Sequence, residues 1–205
     1  MLNCIIDGQA KALALSGSDN LATMLNGLKG ALAENGRFIA SLLVNGEEVA
    51  GIEEETSRRL EWIGSIEITT ESPVCLANKL LAESGDFIDG LQDYLTQVAG
   101  HFTSGSDCAD GSFAEGIQGL QWFVQMTDFI EGTLRLDFQE LSLNKRPVAE
   151  YVKNLNYILR EIVTAQEVSD PVLLADILVY DLVPHLEEWK EIYNLFEGQS
   201  EGKPC

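Results

Sequence analysis

The residues best suited to chemistry lie in the segment DPVLLADILVYDLVPHLEEW, residues 170–189, where two aspartates interrupt an apolar run. A carboxyl group buried in such a run has a raised pKa and could act as a general acid or base. Asp176 and Asp181 are five residues apart, about 140° around a helix, and so cannot easily act together. We therefore predict structural roles. Asp176 pairs with a basic residue or a hydroxyl of another helix, and Asp181 reaches solvent. His185, directly after Pro184, bonds freed backbone carbonyls or faces water.

A second acidic group occurs in the segment SGSDCADGSFAEG, where Asp107, Asp110 and Glu115 could bind a cation. An EF-hand loop requires a glycine at its sixth position and carboxylates at its first, third and twelfth positions. With Gly111 as that glycine, residues without carboxylates fall at these three positions: Ser106, Cys108 and Ile117. The pattern predicts a flexible acidic connection, and it leaves open whether the three acids bind a cation.

The sequence contains none of the common catalytic motifs. No HExxH, Walker loop, GxGxxG or GxSxG occurs, and two histidines are too few for a His-rich zinc site. The cysteines, Cys4, Cys75, Cys108 and Cys205, lack the short spacing of zinc or redox motifs, and we expect them to be reduced. We predict no catalytic residue, no cofactor and no bound metal.

The net charge is −20, from 33 acidic and 13 basic residues. Residues 73–205 carry most of it, with 22 acids and 8 bases. Such a charge repels phosphate backbones and anionic lipids, which disfavours nucleic acids and membranes as partners and favours basic proteins. The sequence shows neither a spanning apolar stretch nor a signal-peptide pattern, so we predict a cytoplasmic protein.

The turn and strand patterns predict a small α/β domain over residues 1–71. Asp7-Gly8 and Asn45-Gly46 are typical of two-residue hairpin turns. The predicted elements are strands at 2–6 and 9–15, a helix from Leu21 to Leu32, and strands at 37–44, 47–49 and 65–70. This order resembles the ubiquitin-like β-grasp fold, and the resemblance implies a docking or scaffold module. The activated Gly-Gly tail of the conjugated members is not possible here, because the chain continues beyond the last strand.

Helical periodicity replaces the strand pattern over residues 72–205 and predicts a domain of about four helices. Ser72-Pro73 and Asp170-Pro171 are typical caps. Gly85 and Gly90 favour a break in the first of these helices, and Pro184 predicts a kink or a break in the last. The predicted fold class is therefore α+β, a β-grasp-like domain followed by a mostly antiparallel helical bundle.

The last two helices show a second resemblance, over about 45 residues. The segment from VAEYVKNLNYILREIV to LEEWKEI is similar to the closing helices of flagellar export chaperones of the flagellin-binding type. The matching residues are Leu155, Tyr157, Ile158, Ile162, Ala165, Asp170, Pro171, Trp189, Lys190, Glu191 and Ile192. The resemblance implies a secreted or disordered client protein as the partner.

Apolar surface in the last helix beyond what a minimal bundle requires indicates contact with a partner. The candidate residues for this contact are Tyr180, Trp189, Tyr193 and Phe196, although the position of Trp189 on the apolar stripe favours packing. The leading hypothesis is a non-catalytic interaction protein, scaffold or export chaperone. One alternative is a metal-assisted enzyme with a carboxylate site between the two domains. Another is an acidic protein that neutralises a toxin or mimics nucleic acid. The sequence does not indicate the oligomeric state.

Overall fold

The protein is an α+β chain in which a small mixed sheet precedes a long helical part. The computed structural model describes residues 3–10, 21–49, 63–105 and 109–200. The chain divides into two compact units, one from Met1 to Leu76 and the other from Ala77 to Pro204. The boundary predicted from the sequence lies a few residues earlier, after residue 71.

The first unit contains the six elements in the order predicted from the sequence. They are β1 (Asn3–Ile6), β2 (Gln9–Ala10), α1 (Leu21–Glu34), β3 (Phe38–Val44), β4 (Glu47–Glu48) and β5 (Ser65–Glu71). The strand order is β2-β1-β5-β3-β4, with β1 and β5 parallel and the other neighbours antiparallel. The predicted continuation of the second strand, residues 11–15, lies outside the described residues.

One face of this sheet forms the core of the first unit. Alternate residues of β5 point to the same side because strand side chains have a period of two. The helix α1 covers this side with Leu21, Met24 and Leu25. The buried strand residues around them are Cys4, Ile6, Leu42, Val44, Ile66 and Ile68. The turn residues Asp7 and Asn45 have φ angles of 49° and 54°, as the tight hairpin turns require.

A polar network ties the first hairpin to the end of β5. The Asp7 carboxylate accepts hydrogen bonds from the Thr70 backbone N–H and hydroxyl, both at 2.7 Å. Arg37 donates from Nε to the Thr70 hydroxyl and from Nη2 to the Thr70 carbonyl, both at 2.8 Å. Thr70 is 5% exposed, so its hydroxyl depends on these two partners for its hydrogen bonds.

The helical part consists of long helices joined by short connections. Its elements are α2 (Pro73–Ser104), α3 (Ala109–Leu134), β6 (Ser142–Leu143), β7 (Arg146–Pro147), α4 (Val148–Glu167), α5 (Pro171–Asp176), a π-helical segment (Ile177–Leu182) and α6 (Val183–Ser200). The two predicted caps form, since Ser72 Oγ accepts from the Cys75 N–H and Asp170 Oδ1 from the Leu173 N–H. No described helix combines the length and apolarity needed to cross a bilayer.

Neither of the two predicted breaks occurs, whereas the kink also expected at Pro184 stays a prediction. The helix α2 continues through Gly85 and Gly90, because its buried stripe, which includes Leu81, Ile88 and Leu95, outweighs the cost of about 1 kcal/mol for each glycine. Pro184 does not break the last helix either. The helix widens into the π-helical segment just before it, where the Val183 N–H donates to the Leu178 carbonyl, five residues back.

The contacts among α2, α3 and α6 build the core of the second unit. Gly116 and Gly119 allow α3 to lie close to α2, since a Cβ atom at Gly119 would stand 2.8 Å from Leu91 Cδ1. Phe123 of α3 packs edge-on against Trp189 of α6, with ring centroids 5.4 Å apart. Lys190 of α6 forms an ion pair with Asp89 of α2.

One of the two described cysteines differs from the expectation of reduced thiols. Cys75 is disulfide-bonded, and its partner lies outside the described residues. Distance along the sequence did not predict this bond, because the cost of closing a loop rises slowly with its length. Cys4 is a free thiol in the core of the first unit, where burial raises its pKa. The cytoplasmic location stays a prediction, and a structural disulfide is more typical of oxidising compartments.

Replacing Thr70 with valine should lower the free energy of unfolding by about 1–3 kcal/mol. The substitution keeps the shape of the side chain but removes the hydroxyl that accepts from Arg37 Nε and donates to Asp7 Oδ2. Thr69→Val, on the exposed face of the same strand, is the matched control and should change stability by less than about 0.5 kcal/mol. Urea denaturation measures both. Equal effects of the two substitutions would contradict the role given to the network.

Candidate functional site

A groove between α3 and α4 marks the surface of the second unit. It consists of a hollow of about 820 Å³ and a neighbouring hollow of about 580 Å³. Val124 of α3 and Leu159 of α4 line both hollows, so the two are adjacent, and together we call them the α3–α4 groove. Its volume falls in the range of ligand and peptide sites rather than that of packing defects.

The groove exists because the apolar stripe of each helix is wider than the contact it makes. The inward side of α3 includes Leu120 and Phe123, and that of α4 includes Leu155 and Ile162, all of them buried. Apolar residues at the edges of the two stripes remain half covered: Ile117, Val124, Val152 and Leu159. Val163, at the end of this row, is 52% exposed. An apolar row of this kind is typical of a surface that another molecule covers.

The two ends of the groove differ in charge. Asp128, Glu131 and Asp137 line the end at the α3–α4 connection, together with Arg135 and Lys153. The opposite end is lined by uncharged side chains: Ile117, Leu120, Gln121, Gln125, Ile162, Val163 and Gln166. The groove therefore has a charged end and a neutral end.

Glu131 is the most perturbed carboxyl group in the charged end. It is half-buried, and its pKa is raised first by desolvation and then by the neighbouring charges of Asp128 and Asp137. The side chain of Glu131 forms no salt bridge with a residue in the described part of the chain. The side chain of Asp137 accepts a hydrogen bond from the Gln139 N–H at 2.8 Å. Among the described residues none of these three carboxylates forms a salt bridge, and Glu131 is the one of the three that is half-buried.

Beneath the groove, Thr127 and Trp189 form its buried floor. The Thr127 hydroxyl donates to the Phe123 carbonyl at 2.9 Å and lies 2.6 Å from the Tyr193 hydroxyl. Burial raises the pKa of Tyr193. Because this phenol stays protonated and its oxygen is bonded to Thr127, the floor of the groove offers no general base.

His185 is buried in a separate polar cluster, and it is not among the residues that line the groove. Its Nδ1 lies 3.0 Å from Glu188 Oε2, and its Nε2 lies 3.0 Å from the Tyr151 carbonyl. The Trp189 indole N–H donates to the same Nε2 at 3.2 Å. Nε2 cannot donate to Tyr151 and accept from Trp189 at once, so the two partners favour different protonation states.

The neutral ring satisfies the indole and the carboxylate, since Nδ1 donates to Glu188 while Nε2 accepts from Trp189. A protonated ring would donate to Glu188 and Tyr151 and would leave the indole N–H without an acceptor. Burial lowers the pKa of His185, more than the hydrogen bond to Glu188 raises it, and so favours the neutral form. The carbonyl beside Nε2 is that of Tyr151 in α4 and not one freed by Pro184, so the predicted bond to a freed carbonyl is not seen.

The structure separates the four residues predicted to contact a partner. Tyr180 is 72% exposed on the π-helical segment. Trp189, Tyr193 and Phe196 are buried and pack on one another, with ring centroids 5.9 Å apart for each neighbouring pair. Three of the candidates therefore lie in the core in this conformation, and Tyr180 alone of the four faces solvent.

The acidic residues singled out in the sequence do not come together. Asp176 and Asp181 are both exposed. Asp176 forms no hydrogen bond or ion pair with a described residue, so its predicted pairing is not seen in this part of the chain, and Asp181 reaches solvent as expected. Glu115 accepts a hydrogen bond from the Tyr94 hydroxyl. Asp107, Cys108 and the side chain of Asp110 lie outside the described residues. Within the described ranges, no group of three or more His, Cys, Asp or Glu residues is placed to hold a metal ion.

The groove residues, above all Val124, Leu159 and Glu131, were not predicted from the sequence. Their pattern gives a weak indication, because an apolar residue beside the main stripe of an amphipathic helix is placed to be half covered. No pattern in one helix shows which neighbour leaves it uncovered. That information comes from the packing of α3 against α4.

The fold and the groove define an α+β protein with a helical unit that presents an open apolar depression. Residues 79–192 match a domain of unknown function, DUF8042, and because this match spans more than half of the chain, the protein belongs to that family. Residues 2–72 match the TP0873 N-terminal domain. No curated protein and no solved structure matches the chain.

The stability of the protein should decrease as the pH falls below about 6.5, in a way that depends on His185. The unfolded chain binds a proton on this ring near the ordinary pKa of about 6.5, whereas the folded protein binds it only at lower pH. The stabilisation is therefore complete above about 6.5 and is lost as the pH falls towards the folded pKa.

Urea denaturation between pH 7.5 and 5.5 measures this dependence. His185→Gln should flatten the pH profile, and His101→Gln, the matched control at the other histidine, should keep it. An NMR titration that gives His185 a pKa above 6.5 in the folded protein would contradict the assignment, whatever the stability of the variants.

Proposed function

We propose that this protein is a non-catalytic interaction protein that holds a segment of another polypeptide in its α3–α4 groove. The observation that supports this most is that two adjacent hollows share the apolar side chains of Val124 and Leu159. Its walls are apolar side chains that the unit itself leaves half covered. Burial of apolar area in such a site contributes roughly 25 cal/mol for each Å² removed from water.

The shape of the groove favours a helical or extended segment over a compact ligand. From Ile117 to Glu131 the α3 wall spans about four turns of helix, roughly 21 Å. A helix laid in an apolar groove is a common mode of peptide recognition, in which residues at i, i+3, i+4 and i+7 enter the groove. The length of the groove suits this mode.

We further propose that the helical unit is a mostly antiparallel bundle. Residue pairs along α2 and α3 support this, because Leu91 and Leu95 of α2 face Gly119 and Gly116 of α3 in reversed order. The same holds for α2 and α6, where Asp89 pairs with Lys190 and Gln92 donates to the Val183 carbonyl. A bundle of this kind buries one stripe of each helix and leaves edge residues to form grooves.

The first unit is, in this proposal, a β-grasp domain that serves as a docking module. Support comes from the strand order β2-β1-β5-β3-β4 and from the parallel pair at its centre. The helix α1 packs on one face only, as the β-grasp arrangement requires. The resemblance of the last helices to export chaperones gives the proposal a further direction, namely a secreted or disordered client.

The exposed valine at the neutral end of the groove provides the test. Val163→Glu adds a charge to the groove wall at a position that is 52% exposed, where the substitution leaves the fold intact. Val172→Glu makes the same change at a valine that is 59% exposed and lies outside the groove residues. Circular dichroism should show equal helix content for both variants.

The probe is a displayed library of 18-residue amphipathic peptides, selected on the purified full chain. Peptides enriched on the unmodified protein should bind Val163→Glu at least tenfold more weakly, because the added carboxylate must be desolvated. Binding to Val172→Glu should stay within about twofold. A library that enriches no peptide, or peptides that ignore both substitutions, would rule out the groove as a binding site.

A further inference from the structure

We propose that the segment held in the α3–α4 groove is an amphipathic helix that places a lysine or arginine against Glu131. This inference rests on the proposed function and specifies the chemistry of the partner. Three observations support it: the arrangement of carboxylates at the charged end, the failure of nearby bases to pair with Glu131, and the neutrality of the opposite end.

The carboxylates concentrate negative charge at one point of the groove wall. Asp128 and Glu131 are three residues apart on α3, so they stand on neighbouring turns of the same face. Asp137 follows the end of this helix and lines the same hollow. Like charges at such spacing repel one another, and the repulsion adds to the cost of keeping Glu131 ionised in a half-buried position.

The two bases at this end do not offset that charge. Arg135 is four residues after Glu131, a spacing that would favour an ion pair inside a helix. However, α3 ends at Leu134, and Arg135 has a φ angle of 53°, which turns the chain away from the helical path. The backbone ends the helix here, with the Leu136 N–H donating to the Glu131 carbonyl at 3.0 Å. Neither Arg135 nor Lys153 forms a salt bridge with Glu131 in the described part of the chain.

A cation supplied by a partner would therefore meet an uncompensated carboxylate beside an apolar wall. Hydrogen bonds between charged groups are about twice as strong as neutral ones, and they strengthen where water is excluded. An arginine or lysine side chain also covers apolar surface with its methylene groups, which suits a position beside Val124 and Leu155. An acidic partner would add a fourth negative charge at the same place.

The opposite end of the groove gives the partner a direction. Its polar residues, Gln121, Gln125 and Gln166, carry no charge. The occupant is therefore expected to have apolar residues along its length and its basic residue near one end. The net negative charge of residues 73–205 attracts such a segment from solution, whereas it repels acidic competitors.

The library described above also tests this inference, because one position at each end of the peptides can be varied among lysine, arginine, glutamine and glutamate. We expect the pool enriched on the unmodified protein to carry lysine or arginine at one end and to lack glutamate there. The enriched peptide is then synthesised with lysine or with glutamine at that position. Fluorescence anisotropy measures the affinity of both for the unmodified protein and for Glu131→Gln.

Glu131→Gln should weaken the lysine peptide about fivefold to tenfold and change the glutamine peptide by less than twofold. Glu161→Gln, at an exposed position of α4 that does not line the groove, is the matched control and should leave both affinities unchanged. The preference for lysine should diminish as sodium chloride is raised from 50 to 500 mM, because salt screens exposed charges.

The outcomes separate the two proposals. Groove-dependent binding without a preference for basic residues, or a lysine preference that survives Glu131→Gln, overturns this inference and leaves the proposed function standing. A preference removed by Asp128→Asn but kept in Glu131→Gln overturns the assignment to Glu131. If no peptide binds in a way that Val163→Glu weakens, both proposals are overturned.

Discussion

The burial of Trp189 is the interaction on which the helical unit depends. Its ring packs against Phe123 of α3 and Tyr193 of α6, and its N–H reaches His185, whose own ring lies over Tyr151 of α4. One side chain thereby fixes the distances among three helices. Because Trp189 closes the inner side of α3 and α4, the apolar edges of these helices remain on the outer side. The α3–α4 groove is therefore a consequence of how the last helix is anchored.

The π-helical segment explains how one helix uses an apolar run that seemed too broad for one face. Ten of the fourteen residues from 170 to 183 are apolar. The wider turn between Ile177 and Leu182 changes the angle between successive side chains, so that Leu178, Leu182 and then Trp189 all lie inward. Leu174, Ala175 and Ile177 are buried as well, whereas Val172, Leu173 and Tyr180 face solvent. The same widening accommodates Pro184, which has no N–H to donate.

Local chemistry determines the parts of the fold that the sequence predicted well. The glycine-containing turns after Asp7 and Asn45, the alternation along β5 and the cap at Asp170 each depend on a few neighbouring residues. Features that depend on distant contacts were missed or misjudged. The unbroken course of α2 past its glycines requires knowledge of what covers its stripe, and the groove requires knowledge of how far α3 and α4 overlap. In the sequence Glu131 resembles an ordinary surface acid. Its raised pKa depends on its half-buried position and on the nearby charges of Asp128 and Asp137.

The perturbed groups near the groove support the proposal of a binding role. Burial shifts the pKa of Glu131 and Tyr193 upward and that of His185 downward, in each case towards the neutral form. Two groups that act as catalytic acid and base need pKa values that are shifted apart and access to the same reacting atom. Tyr193 and His185 are instead each hydrogen-bonded to internal partners. Of these three groups, Glu131 is the one that faces the groove without an internal partner among the described residues. Its desolvation costs free energy in the unbound protein, and a bound cation would remove part of that cost. The feature that weakens the isolated fold is thus the one that would strengthen its complex.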